Sequence, residues 1–260
     1  CLLCACCVMA KADDLKLWYK QPAKVWTEAL PLGNSRLGAM VYGGVVNEQI
    51  QLNEETVWGG GPHRNDSPKA LGVLPTVREL LFSGREKEAE KMIADNFFTG
   101  QHGMPFQTIG SLMLEFDGHA DYSDYRRELD LEKAIASVRY KIGEVNYIRT
   151  VFTSLADNAL IVRIEADKPG AVNFTTRYST PYKEYEIKKN GKSLLLSGHG
   201  SAHEGIPGAI RFETRTQIKA EKGKITVTND CIEVKGADAA VIYVTAATNF
   251  VNYKDVSANE

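Results

Sequence analysis

Residues 26–62, WTEALPLGNSRLGAMVYGGVVNEQIQLNEETVWGGGP, carry a period of two that points to a β fold. Gly38 to Tyr42 and Val46 to Leu52 flank Gly43-Gly44, a dipeptide that accepts the positive φ of a hairpin turn. Along the second segment Val46, Glu48, Ile50 and Leu52 share one face, while Asn47, Gln49 and Gln51 share the other. The strand then empties into Asn53-Glu54-Glu55-Thr56-Val57-Trp58-Gly59-Gly60-Gly61-Pro62. A Trp beside three glycines offers a flat apolar face on backbone that a ligand can approach closely, with carboxylates and an amide at hand.

On either side of this stretch, Leu15 to Tyr19 reads as a first alternating strand, and residues 62–68, PHRNDSP, as a loop. A two-helix insertion is expected near residues 74–99. Pro75 suits a first helical turn, with Val77, Leu80 and Leu81 at helical spacing. Ser83 with Glu86 has the form of a capping box, and Ala89, Met92, Ile93 and Phe97 form the stripe of a second helix that Gly100 ends. From Leu112 onward the period returns to two, in eleven segments: 112–116, 125–131, 134–142, 145–152, 158–166, 172–178, 193–198, 210–220, 224–228, 231–235 and 239–246. Gly143-Glu144 and residues 221–224 have turn composition. Short strands at this spacing, with no helices between them, predict a mostly β chain built as one large antiparallel β-sandwich (supersandwich) over residues 13–260.

Composition narrows the function class. Hydrophobic residues make up 43% and charged residues 25%, as in a globular protein. With 31 basic against 33 acidic residues, the net charge of −2 gives no electrostatic case for nucleic acid or an anionic membrane. Four of the five cysteines, Cys1, Cys4, Cys6 and Cys7, lie in an apolar leader, and only Cys231 follows. The leader ends in Ala10-Lys11-Ala12 ahead of Asp13-Asp14, so residues 1–12 read as a signal-peptide remnant, with a lipoprotein anchor as the alternative. It is too short to span a bilayer. Export across the inner membrane of a bacterium, to the periplasm or cell surface, is therefore expected.

The chemistry-bearing residues are sparse. His63, His102, His119, His199 and His203 are scattered, and glycines around His199 and His203 argue against a metal-binding helix. No metal and no cofactor is expected. Gly59-Gly60-Gly61 lacks the Lys-Ser/Thr of a phosphate loop, and residues 197–201, SGHGS, are not a nucleophile elbow. Glycoside hydrolysis needs two carboxyl groups flanking one bond, yet adjacent Glu54 and Glu55 point to opposite sides of an extended backbone. Glu115 and Asp117 share a face, which reads as the solvated side of a strand. No catalytic residue is assigned. Sugar sites combine aromatic faces with carboxylates, amides and Arg, and Asn53, Glu54, Trp58, His63 and Arg64 supply that inventory within a dozen residues. Trp58 reads first as a structural plug of the sandwich edge or of the interface to a following domain, then as the rim of a larger sugar site, and last as an independent sugar platform. The QHGMPFQT loop, 101–108, is a second candidate surface.

The motifs PLGNSRLGAMVYGG (31–44) and IQLNEETVWGGGP (50–62) resemble the opening of the glycoside hydrolase family 95 α-L-fucosidases. The resemblance continues through QTIGSL (107–112), YSDYRRELDL (122–131) and AATNFV (246–251), in the same order. It implies the amino-terminal β-sandwich domain of such an enzyme, of the glycosyl hydrolase family 65 amino-terminal type. A catalytic (α/α)6 barrel would follow the last residue. The implied parent hydrolyses terminal α-linked L-fucose, chiefly α-1,2, from glycans with inversion, using barrel residues. Fucosylated glycans and the barrel are then the implied partners. A stand-alone carbohydrate-binding module is the alternative.

Overall fold

A computed structural model describes residues 15–98 and 103–259. The leader at 1–12, Gly100, Gln101 and His102 lie outside the described residues. The chain is mostly β. Among the described residues the first eight strands are β1 (Lys16–Tyr19), β2 (Leu30–Gly33), β3 (Leu37–Val41), β4 (Asn47–Glu54), β5 (Gly110–Glu115), β6 (Tyr122–Asp130), β7 (Ile135–Ile142) and β8 (Val145–Ser154). The rest are β9 (Ala159–Ala166), β10 (Val172–Ser179), β11 (Tyr185–Asn190), β12 (Ser193–His199), β13 (Arg211–Glu221), β14 (Lys224–Val227), β15 (Ile232–Ala237) and β16 (Ala239–Thr248). They form a nine-stranded sheet, β1-β6-β7-β8-β9-β16-β13-β12-β11, and a seven-stranded sheet, β14-β15-β10-β5-β4-β3-β2. The two sheets make the expected antiparallel sandwich.

Contacts divide the chain into two compact units. The sandwich, residues 15–55, 108–198 and 212–247, is the first. Its interior follows from alternation: Val41, Ile50, Leu52, Leu112 and Leu114 of one sheet, and Val138, Val151, Val162, Ile164 and Ile242 of the other, are buried. The predicted β3–β4 hairpin forms, with Val41 opposite Ile50. Its connection spans residues 42–46 rather than two residues, and Gly43 takes a φ of 77°. A Cβ on Gly43 would sit 2.7 Å from the Tyr125 Oη and 2.9 Å from Arg127 Cδ, so only glycine fits.

The sandwich encloses a polar cluster. Glu48 lies on the apolar face of β4, where its alternation puts it, and is buried together with Arg149 of β8. Their charged ends are 3.2 Å apart, Gly43 N–H donates to Glu48 Oε1 at 2.8 Å, and Arg149 Nη2 also donates to the Gly44 carbonyl. Burial pushes the Glu48 carboxyl above the ordinary carboxylate range, against the pull of Arg149 and the Gly43 amide. Arg149 stacks over Phe116 at 5.0 Å and Tyr140 at 5.8 Å, which receive the guanidinium edge that has no hydrogen-bond acceptor. The neighbouring His119 hydrogen-bonds the Tyr140 hydroxyl at 3.0 Å. Burial, reinforced by Arg149, holds its imidazole below the ordinary value of 6.5. Tyr140 itself is pushed up to about 12 by burial.

Several local expectations are corrected. Helix α1 spans Ala70–Phe82, so Pro75 sits inside it rather than in its first turn. The carbonyl that Pro75 leaves without its helical partner, four residues back, belongs to Leu71, a residue 80% exposed. Ser83 does not cap α2 (Glu86–Asn96): its hydroxyl donates to the carbonyls of Glu79 and Leu80 and closes α1, with Gly84 at φ 72° behind it. Val77, Leu80 and Ala89 are buried against Met92, Ile93 and Phe97 as expected, whereas Leu81, expected beside them, is 47% exposed. Strands β2 and β11 are additional to the segments that alternation picked out.

Candidate functional site

The second unit takes in residues 56–107, 199–211 and 248–260 and contains the Trp58 loop. Residues 57–59 run antiparallel to 105–107: Gln107 N–H donates to the Val57 carbonyl and Gly59 N–H to the Pro105 carbonyl, both at 2.9 Å. Gly60 then threads between two more segments, donating to Ser201 O and accepting from Ala209 N–H, each at 2.8 Å. The three glycines serve this internal packing. A Cβ on Gly61 would lie 2.7 Å from the Ala209 Cβ, one on Gly59 3.1 Å from Pro105, and one on Gly60, at φ 63°, would run into the Met104 sulfur.

Asn249 holds the last segment in place. Fully buried, it donates from Nδ2 to the carbonyls of Ala209 at 3.0 Å and Val256 at 2.8 Å, and its Oδ1 accepts from Arg211 N–H at 2.8 Å. These bonds fold residues 250–256 over the glycine loop.

Between them lies a cavity of about 350 Å³ whose lining includes Trp58, His63, Met104, Ile210, Phe250 and Tyr253. Trp58 is 42% exposed and packs against Phe106, itself 49% exposed, with ring centroids 5.3 Å apart. His63 Nδ1 donates to the Gly61 carbonyl at 2.8 Å, since that oxygen can only accept. In the neutral ring Nε2 is then a bare acceptor, buried and without a hydrogen-bond partner among the described residues. The arrangement suits a ligand with an apolar face and a hydroxyl to donate.

Of the residues singled out by sequence, Trp58 and His63 share this cavity. Arg64 does not line it. Its side chain is 86% exposed and forms a two-pronged pair with Asp66, at 3.0 and 2.6 Å, beside His63 and Tyr253 in an adjoining open hollow. Asn53 and Glu54 end β4 in the sandwich unit. Glu54 is wholly buried and 2.8 Å from Arg36 Nε, while half-exposed Glu55 meets Arg36 Nη1 at 3.1 Å. One guanidinium thus meets both adjacent carboxylates, one buried and one half-exposed. From the second candidate loop, Met104 enters the cavity and residues 105–107 support Trp58. Sequence reasoning missed Ile210, Phe250 and the anchoring Asn249. His199 ends β12 and His203 bridges to Ile206, so neither is helical. Glu115 is half-exposed and paired with Arg177 at 3.4 Å. No group of three or more His, Cys, Asp or Glu is placed to hold a metal among the described residues.

A family model described as glycosyl hydrolase family 65, N-terminal domain, matches residues 17–253. The chain belongs to that family. All five candidate residues fall inside the matched part of this family 65 N-terminal domain. It is 33% identical over 260 residues to Alpha-L-fucosidase 2 of Arabidopsis thaliana, an alignment covering 91% of this chain and 30% of that protein. It is 30% identical over 207 residues to Probable alpha-fucosidase A of Aspergillus niger, covering 75% of this chain and 26% of that one. The domain thus spans under a third of the length of these relatives. A solved structure titled putative kojibiose phosphorylase from human microbiome aligns with 95% of this chain and 33% of its own, at 11% identity and a TM-score of 0.45. No described helix is long and apolar enough to cross a membrane.

Proposed function

We propose that this chain is the non-catalytic amino-terminal β-sandwich domain of a secreted glycoside hydrolase that removes terminal α-linked L-fucose, chiefly α-1,2, with inversion. The observation that carries the reading is the 33% identity to Alpha-L-fucosidase 2 across 91% of this chain, within 30% of that protein. The carboxylates support it. The chemistry requires an acid and a base facing one glycosidic bond, and Glu48, Glu54 and Glu115 are each tied to an arginine. In this reading the exposed Trp58, Phe106 and Tyr253 face a following catalytic barrel. The test is release of L-fucose from 2′-fucosyllactose. The full-length gene product is expected to be active and the 260-residue chain inactive; release by the isolated chain would sink the proposal.

A second reading is favoured by one observation, the unpaired Nε2 of His63 beside an exposed Trp58. In this reading the cavity takes one pyranose ring, its apolar face on Trp58 and one hydroxyl donating to His63. Calorimetric titration with 2′-fucosyllactose should then show binding without hydrolysis. Trp58→Ala should weaken it by about tenfold, the value of one aromatic contact. Equal affinity in the variant would return Trp58 to a packing role.

A further inference from the structure

The β11–β12 hairpin and the turn that carries the chain from β13 of one sheet to β14 of the other border a second hollow, of about 720 Å³, inside the sandwich unit. Ile218, Ile225 and Val227 give it an aliphatic floor, and Lys189, Lys192, Lys219 and Lys222 stand around it. No carboxylate lines it. In a chain with more acidic than basic residues, this is a local reversal of charge. Lys222 is committed to Asp238 at 2.6 Å, and Lys219 sits over the Tyr243 ring at 5.4 Å. Lys189 and Lys192 enter no ion pair among the described residues and have ammonium groups to offer. β11 and β14 each end their sheet, so backbone groups at both borders face no further strand.

We propose that this lysine-ringed hollow binds an acidic polysaccharide, a chain of sugars bearing carboxylate or sulfate groups. The choice of a polysaccharide rests on the reading of the chain as part of a glycan-degrading enzyme; the charge complementarity does not. An aliphatic floor packs against the C–H face of a pyranose, and flexible point charges suit anionic groups whose spacing varies. Nucleic acid is the poorer occupant. No aromatic side chain lines the hollow to stack a base, and the net charge of −2 gives no wider basic field. The site would hold the enzyme near an anionic glycan matrix while the neutral substrate is handled elsewhere.

The test is retardation of the 260-residue chain in gels containing polygalacturonate or dextran sulfate, with neutral dextran and poly-L-glutamate as controls. Retardation by either or both anionic polysaccharides, absent with both controls, is expected, and the pattern tells carboxylate from sulfate recognition. Raising the salt to about 0.3 M should suppress it, as screening dictates. Lys189→Glu with Lys192→Glu should weaken binding about tenfold, the size expected for reversing two exposed charges. Lys87→Glu, on α2, should leave it unchanged. Equal retardation by poly-L-glutamate would overturn the proposal in favour of an acidic peptide surface. No retardation, or equal loss in Lys87→Glu, would overturn it outright. A failed fucosidase reading shows in the fucose assay and leaves these gels unaffected.

Discussion

Arg149→Ala is expected to lower the unfolding free energy by about 3–5 kcal/mol, the cost of breaking a buried ion pair from one side. Both partners are 1% exposed at 3.2 Å, so water cannot replace the lost guanidinium. Glu48 would be left buried beside its cross-strand partner Leu114, and the Gly44 carbonyl would lose its donor. Replacing both partners together, Glu48→Gln with Arg149→Met, should cost less, because no isolated charge then remains. Guanidinium denaturation measures this as a lower midpoint at unchanged slope. A midpoint within error of wild type for Arg149→Ala would show that the pair contributes nothing.

Phe116→Ala is expected to cost about 3–5 kcal/mol, typical of a large aromatic side chain removed from a packed interior. Phe116 is 1% exposed and is held between Arg149 at 5.0 Å, His119 at 5.4 Å and Phe174 at 5.6 Å. The cavity would expose the Arg149 guanidinium to a void as well as removing dispersion contacts. The two substitutions should therefore not add. In the double variant a coupling of about 0.5–3 kcal/mol is expected, as for residues in direct contact. Additive effects would mean that the ring and the cation are neighbours without energetic exchange.

Much of this sandwich was legible because burial and alternation coincide in its central strands. The β4 pattern alone places Glu48 on the face of Ile50 and Leu52. Carried two residues further, it also places Glu54 there, so Glu54's burial was readable although composition suggested a surface carboxylate. The two strands that escaped notice lie at sheet ends. β2 is four residues long and contains Pro31, and β11 has five exposed residues in six. An edge strand needs little apolar face, and so leaves little trace. Helix boundaries failed where two rules competed: Pro75 fits a first turn, but the exposed start of α1 carries it one turn later, and Gly84 turned Ser83 from an N-cap into a C-cap.

The site was legible only in part, for a reason of distance along the chain. Trp58 and His63 lie close in sequence and could be read together. Met104, Ile210, Phe250 and Tyr253 arrive from three other segments, and nothing local in them announces a shared cavity. Arg64 carries the right chemistry, but Asp66, two residues on, occupies it.

The loop joining β3 to β4 has a consequence for the order of events in folding. Its two strands are neighbours in sequence and can pair early. The carbonyls of Gly43 and Gly44, however, wait for Tyr125 of β6 and Arg149 of β8, far along the chain. Closing such long loops before their contacts form is slow. The hairpin that is quickest to meet is thus among the last to be locked. Tyr42 N–H bonds the Gln49 carbonyl within it and should gain protection early in a refolding pulse, whereas Gly43 N–H, held by the Glu48 carboxylate that Arg149 pairs, should gain it late.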